Sequence, residues 1–205
     1  MTASLSVIRV DECRTMAWKN GGGETTEIAL FPPDAALDDF GWRVSIARVA
    51  GDGPFSVFPG VDRTLAVLDG AGLRLTVGDA APVDLQVDDA PLPFAADVLT
   101  DATLIDGVIV DFNVMTRRGA YWHEVTAVHA LTGVQSVAVA TRAATVLWLC
   151  QRGGVRLDAG ADEGAGPVRL GAGQCLLAQG LPPTFWQLTS DAEARLMRVE
   201  IDTVA

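Results

Sequence analysis

In 205 residues there are one lysine, one tyrosine, two histidines and three cysteines, and each scarcity excludes something. Cys13, Cys150 and Cys175 are odd in number and share no metal-ligand spacing, which reads as reduced, structural thiols in a cytosolic protein. His123 and His129 stand six residues apart, and no H-x-H, H-E-x-x-H or C-x-x-C occurs. A zinc or iron site needs two or three imidazoles or thiolates at defined spacings, so no metal and no cofactor is expected. No G-x-S-x-G elbow supports a Ser-His-Asp arrangement, and both histidines read as strand or surface residues. Positive charge is short as well: 15 Lys+Arg against 26 Asp+Glu leave a net charge of −11. A nucleic acid or an anionic membrane needs a cationic field, so neither is an expected partner. No apolar run approaches the roughly 20 residues that span a bilayer. The first residues, Met1-Thr2-Ala3-Ser4-Leu5, carry no basic segment and no apolar core of a signal peptide. The expectation is a soluble, cytoplasmic, acidic protein.

What is present is short apolar or alternating runs, cut by Gly, Pro and Asp about every 8–12 residues, an all-β pattern. Strands are expected at Trp42–Val49, Thr64–Leu68, Leu73–Val77, Val108–Met115, Ser136–Ala140, Val146–Leu149, Gly154–Leu157, Gln174–Ala178 and Leu196–Ile201. Turn chemistry separates them at Gly51–Pro54, Phe58–Gly60, Asp69–Gly72 and Gly164–Pro167. Asp34–Phe40 is a candidate short helix and Ala192–Arg195 a candidate single turn, while residues 79–107 give no clear pattern. Leu68–Leu75 parallels Cys150–Leu157, with Gly72 and Gly154 separated by 154 − 72 = 82 residues. That is about the length of one small barrel, and it points to two barrel-like halves.

Four stretches carry candidate chemistry. In Trp18–Ile28, three consecutive glycines permit close approach of backbone N–H groups to a ligand. The lysine precedes them, so this is no phosphate-binding loop of the GK[ST] type. Lys19 is the only lysine of the chain, and with Asn20 and Gly22 it is a candidate ligand group. In Trp42–Ala47 the alternation puts Trp42, Val44 and Ile46 on one face and Arg43, Ser45 and Ala47 on the other. The polar face is either solvated or lines a cavity. The stretch Asp52–Gly70 resembles the first cupin signature, H-x-H and a later Glu before an apolar strand ending in Gly. Aligned on Gly70, Ser56 and Phe58 take the histidine places and Arg63 the glutamate place, so an anion rather than a metal would be favoured. Asp111 and Asn113 share one face of an otherwise apolar strand and are either solvated or part of a buried network. Arg117 and Arg118 beyond it are a solvated strand end or ion-pair partners.

Taken in order, the blocks Trp18–Ile28, Trp42–Ala47, Phe55–Arg63 and Asp111–Arg118 resemble the HutD/Ves family. The resemblance implies a bicupin, two antiparallel jelly-roll β-barrels packed as one unit with little helix: residues 1–119 carry the motifs and 120–205 form a degenerate second barrel. It also implies a link to histidine catabolism, with family members binding a small formylated or carboxylate intermediate and moderating flux. Formylglutamate, urocanate and formate are the ligand candidates, a homodimer is an open assembly, and no enzymatic activity is firmly implied. On that basis Arg63 and Arg43 hold the carboxylate; Lys19, Asn20 and Gly22 complete the site; Ser45 lines it; and Asp111 and Asn113 orient the cations. Two other readings stay open. One is a metal-independent hydrolase or isomerase using Asp111 or Glu27 as acid–base group. The other is a structural or interaction protein.

Overall fold

The computed structural model describes residues 3–130, 136–160, 166–190 and 192–204. Among the described residues the registers that join its strands, β1–β19 in chain order, are antiparallel, and a single 3₁₀ turn at Val10–Glu12 is the helical element. Among the described residues no helix is long and apolar enough to cross a membrane. The chain divides into two compact units: residues 13–122 with 203–204, and residues 3–12 with 123–202.

In the unit built on residues 13–122, a six-stranded sheet runs in the order β2 (Thr15–Ala17), β3 (Gly23–Phe31), β4 (Trp42–Val49), β11 (Ile109–Arg117), β6 (Val61–Asp69), β9 (Leu92–Ala95). A four-stranded sheet runs β5 (Gly53–Pro54), β10 (Thr100–Leu104), β7 (Leu73–Val77), β8 (Val83–Leu85). The two pack face to face: Ala47, Leu65, Val67 and Ile109 of the first meet Leu73, Leu75, Leu85 and Ala102 of the second. Strands β4, β6 and β11 are buried on both faces through most of their length. Their polar residues Arg43, Ser45, Arg63, Asp111 and Asn113 are therefore buried with the apolar ones.

The other unit repeats this plan. Its five-stranded sheet runs β1 (Ser4–Arg9), β17 (Gln174–Gln179), β14 (Thr145–Arg152), β19 (Ala194–Thr203), β12 (Tyr121–Ala130). Its four-stranded sheet runs β13 (Ser136–Thr141), β18 (Thr184–Thr189), β15 (Gly154–Asp158), β16 (Val168–Gly171). Adding eight to each strand number converts the order β4-β11-β6-β9 into β12-β19-β14-β17 and β5-β10-β7-β8 into β13-β18-β15-β16. The repeat expected from Gly72 and Gly154 is thus a repeat of topology. The glycines that match in structure are Gly70 and Gly153. Both have positive φ, at 94° and 77°. A Cβ on Gly70 would strike Val108 O, and one on Gly153 would strike Glu193 O. That pair is 153 − 70 = 83 residues apart, because the second turn is one residue shorter.

Several expectations change. Strand β1, first in the chain, pairs with β17 rather than with the strands of residues 13–119, in register from Ser4↔Gln179 to Arg9↔Gln174. Asp34–Phe40 forms turns, not a helix. Ala35 N–H donates to Pro32 O and Asp39 N–H to Ala36 O, and Asp34 has φ 63°, none of which propagates a helix. Ala194 and Arg195 open β19 instead of closing a helical turn. Residues 79–107 hold β8, β9 and β10, which at three to five residues are too short to show a period. The Gly164–Pro167 turn lies partly outside the described residues, as does the side chain of His129 on β12.

Candidate functional site

Register across the six-stranded sheet sets one row of inward side chains. Glu27 of β3 pairs with Ser45 of β4, Ser45 with Asn113 of β11, and Asn113 with Leu65 of β6. Directly opposed residues point to the same face, and residues two apart along a strand share it. Arg43 and Ala47 therefore flank Ser45, Met115 and Asp111 flank Asn113, and Arg63 and Val67 flank Leu65. This is the face that carries the apolar interior. The Arg43/Ser45 face is therefore turned inward and buried rather than solvated.

Two clusters result. Arg43 Nε donates to Glu27 Oε2 at 2.8 Å. Arg63 donates through Nε and Nη2 to Asn113 Oδ1, the Nε bond at 2.8 Å. Asn113 Nδ2 in turn donates to Asp111 Oδ1 at 2.6 Å. An arginine can only donate and an ionised carboxylate only accept, so the two neighbours fix which way the amide points. The guanidinium of Arg63 also lies over Phe55, 4.1 Å from the ring centroid, and 5.7 Å from that of Phe94. Aromatic faces stabilise a desolvated cation by about 2 kcal/mol.

Burial is deep: Arg43 is 6% exposed, Ser45 2%, Arg63 7%, Asn113 3% and Asp111 0%. Asp111 Oδ2 is buried with no hydrogen-bond partner. Burial pushes the Asp111 carboxyl up to about 6, against the pull of Arg63's charge and of the bonds from Asn113 and the Ala47 N–H. Burial likewise brings Arg63 down to about 10, opposed by Asp111 and assisted by the like charge of Arg43. Asp111 does not touch Arg63 directly, as a simple ion pair would require; Asn113 stands between them. Neither arginine is fully spent. Arg63 uses two of its five N–H groups and Arg43 one, and their remaining nitrogens are not among the sealed, partnerless atoms.

Lys19, Asn20 and Gly22 are not on this face. They form the loop between β2 and β3, closed by Gly21 N–H to Trp18 O and Trp18 N–H to Gly23 O. Asn20 Oδ1 accepts the Gly22 N–H at 3.0 Å, and Lys19 and Asn20 are exposed. The third glycine answers a packing demand: a Cβ on Gly23 would strike Arg48 O of the paired strand and crowd the Trp18 ring at 3.2 Å. The glycines thus serve the hairpin. Ser56, at a cupin histidine place, is exposed, and Phe58 packs beside Phe40. Among the described residues no group of three His, Cys, Asp or Glu could hold a metal ion. With Arg63 inside, the donor set does not suit one. Arg118 pairs with Asp62 and Asp97, and Arg117 donates to Pro59 O and Asp38 O, so both are strand-end partners. Phe55 and Phe94 were not foreseen as site residues.

The second unit has the same frame and different contents. Counting seven residues back from each matched glycine, Val146 stands where Arg63 does. By register, Leu196 opposite Cys150 stands where Asp111 stands opposite Val67. Trp148 and Trp186 fill the interior, 0% and 1% exposed, edge to face at 5.9 Å.

Two jelly-roll units of matching topology in one chain, one with a row of buried charged side chains and one filled by tryptophan, define a bicupin. The HutD family model matches residues 10–197, and the chain belongs to that family. A structure of a conserved protein of unknown function from Pseudomonas aeruginosa PAO1 is 35% identical with a TM-score of 0.88, covering 97% of this chain and 99% of that one. HutD from Pseudomonas fluorescens SBW25 is 31% identical with a TM-score of 0.80, covering 98% and 100%. Protein Ves of Citrobacter koseri is 47% identical over 102 residues, 49% of this chain and 52% of its own length. The chain spans about half the length of the curated relatives it matches.

Proposed function

We propose that the first barrel binds a small carboxylate and that, through it, the protein moderates histidine utilisation without catalysing a reaction. The observation that carries this is the pair of buried guanidiniums, Arg43 and Arg63, with unspent donors on an inner face that also holds Glu27, Ser45, Asn113 and Asp111. Their free N–H groups are available to a ligand, and a carboxylate accepts from a planar fork with matched geometry. The P. fluorescens relative is described in a formate condition, which makes formate the simplest probe; formylglutamate and urocanate present the same group. In the second barrel Val146 and Leu196 replace Arg63 and Asp111, and the cation that shares their row, Arg198, is already paired with Glu124 and Glu200, so a single site per chain is expected.

Crystals soaked in formate test it. A carboxylate bonded to Arg63 supports the reading, and an interior free of formate at saturating concentration contradicts it. The enzyme reading draws on one observation, the unpartnered Asp111 Oδ2 of a carboxyl that titrates near neutrality. Release of formate from formylglutamate by wild type but not by Asp111→Asn would favour it over binding alone.

A further inference from the structure

Counting charges on the inward face gives a result that a plain anion site would not. Arg43 and Arg63 contribute two positive charges, Glu27 and Asp111 two negative ones, so with Asp111 ionised the row is neutral before any ligand enters. By register and core membership, the inward face around Asp111 adds nothing else titratable. From β4 come Arg43, Ser45 and Ala47, from β6 Arg63 and Val67, from β3 Glu27, and from the facing sheet Leu73, Leu75 and Ala102. A bound carboxylate would therefore leave one uncompensated negative charge in a buried interior, which is costly. The same place contains an acceptor with nothing to accept, Asp111 Oδ2.

One change removes both faults. We propose that the first barrel takes up its carboxylate together with one proton held on Asp111 Oδ2, so that the ligand class is a carboxylic acid accommodated as a net-neutral unit. This rests on the carboxylate reading above and adds the proton to it. The proton comes from solvent, no other bond is made or broken, and the orphan acceptor becomes an O–H donor. Arg63, no longer facing an ionised Asp111, is left to the ligand. The carboxyl already titrates at about 6, so the required protonation is within reach at neutral pH.

Formate, which stays ionised throughout, is titrated calorimetrically into the full chain between pH 5.5 and 7.5, and at pH 7.5 in two buffers of different ionisation enthalpy. The expected results are uptake of about one proton per formate and an affinity that falls about 20- to 30-fold across that range. Asp111→Asn, permanently neutral, is expected to bind formate with an affinity independent of pH. Wild-type binding that is pH-independent, with no buffer dependence, overturns the proton uptake and leaves the carboxylate reading intact. Absence of formate binding at every pH overturns both. Should Asp111→Asn fail to fold, the two-buffer measurement on wild type decides alone.

Discussion

Arg63, Asn113 and Asp111 form a chain of three side chains in which the middle member has two duties. Asn113 accepts from the arginine and donates to the carboxylate, so no apolar side chain of its size can replace it. Asn113→Leu keeps the volume and strands both neighbours in a dry interior. Each unpaired buried group costs about 1–3 kcal/mol, so urea unfolding of Asn113→Leu should show a loss of roughly 2–5 kcal/mol, and a loss below about 1 kcal/mol would mean that the bridge is idle. Asp111 gives a signed dependence on pH. Its carboxyl is raised to about 6 in the fold from an ordinary 3.8. Between those values the folded state holds more protons than the unfolded one, so Asp111 costs stability as pH rises from about 4 to about 6. Relative to Asp111→Asn, wild type should lose stability over that interval and change little above it; a difference that grows the other way contradicts the assignment. The inward aim of Arg63 was legible in the sequence, because a strand has period two and Gly70 fixes its end. The intervening amide was not, since a shared face says nothing about distance. Lys19 lies in an exposed loop away from this row, and scarcity of a residue type carries no information about where the residue lies.

At the scale of elements, the hairpin between β6 and β7 shows which glycines the fold cannot change. Gly70 combines a φ of 94° with backbone of β11 and the preceding loop where a Cβ would go. Gly60 has a similar φ, 69°, with nothing within 4 Å of its Cβ position. A left-handed alanine alone costs about 1–2 kcal/mol. Gly60→Ala should stay within that range in thermal unfolding, while Gly70→Ala should exceed it clearly; equal losses would show that the close contact is relieved without cost. Strands such as β4 and β7 were readable because they are five or more residues long and either alternate or run apolar. Strand β9 was not, being four residues among prolines, and Phe94, which stacks on Arg63, went unseen with it. Strand β3 was hidden by its own first residue: Gly23 reads as a loop residue in sequence and is a packing residue in the sheet.

For the whole molecule, the N-terminal strand has a consequence at the boundary expected near residue 119. Residues 120–205 alone lack β1, so β17 becomes an open edge carrying Cys175, Leu176 and Ala178. Unpaired apolar edges template aggregation. That fragment should aggregate or remain poorly folded, and a peptide of residues 3–12 should rescue it; a soluble, cooperatively unfolding fragment without the peptide would contradict the pairing. The two barrels share a frame and differ in a handful of inward residues, Arg63 against Val146 and Asp111 against Leu196. On the proposed function only the first takes a carboxylate, and Arg74, exposed and paired with Asp84 on β8, is its proper control. Titration calorimetry of formate at pH 6 against wild type, Arg63→Met and Arg74→Met tests this most directly. The account predicts one site per chain, affinity at least roughly tenfold weaker in Arg63→Met, and no change in Arg74→Met. Equal affinity in wild type and a folded Arg63→Met, or two sites per chain, would contradict it.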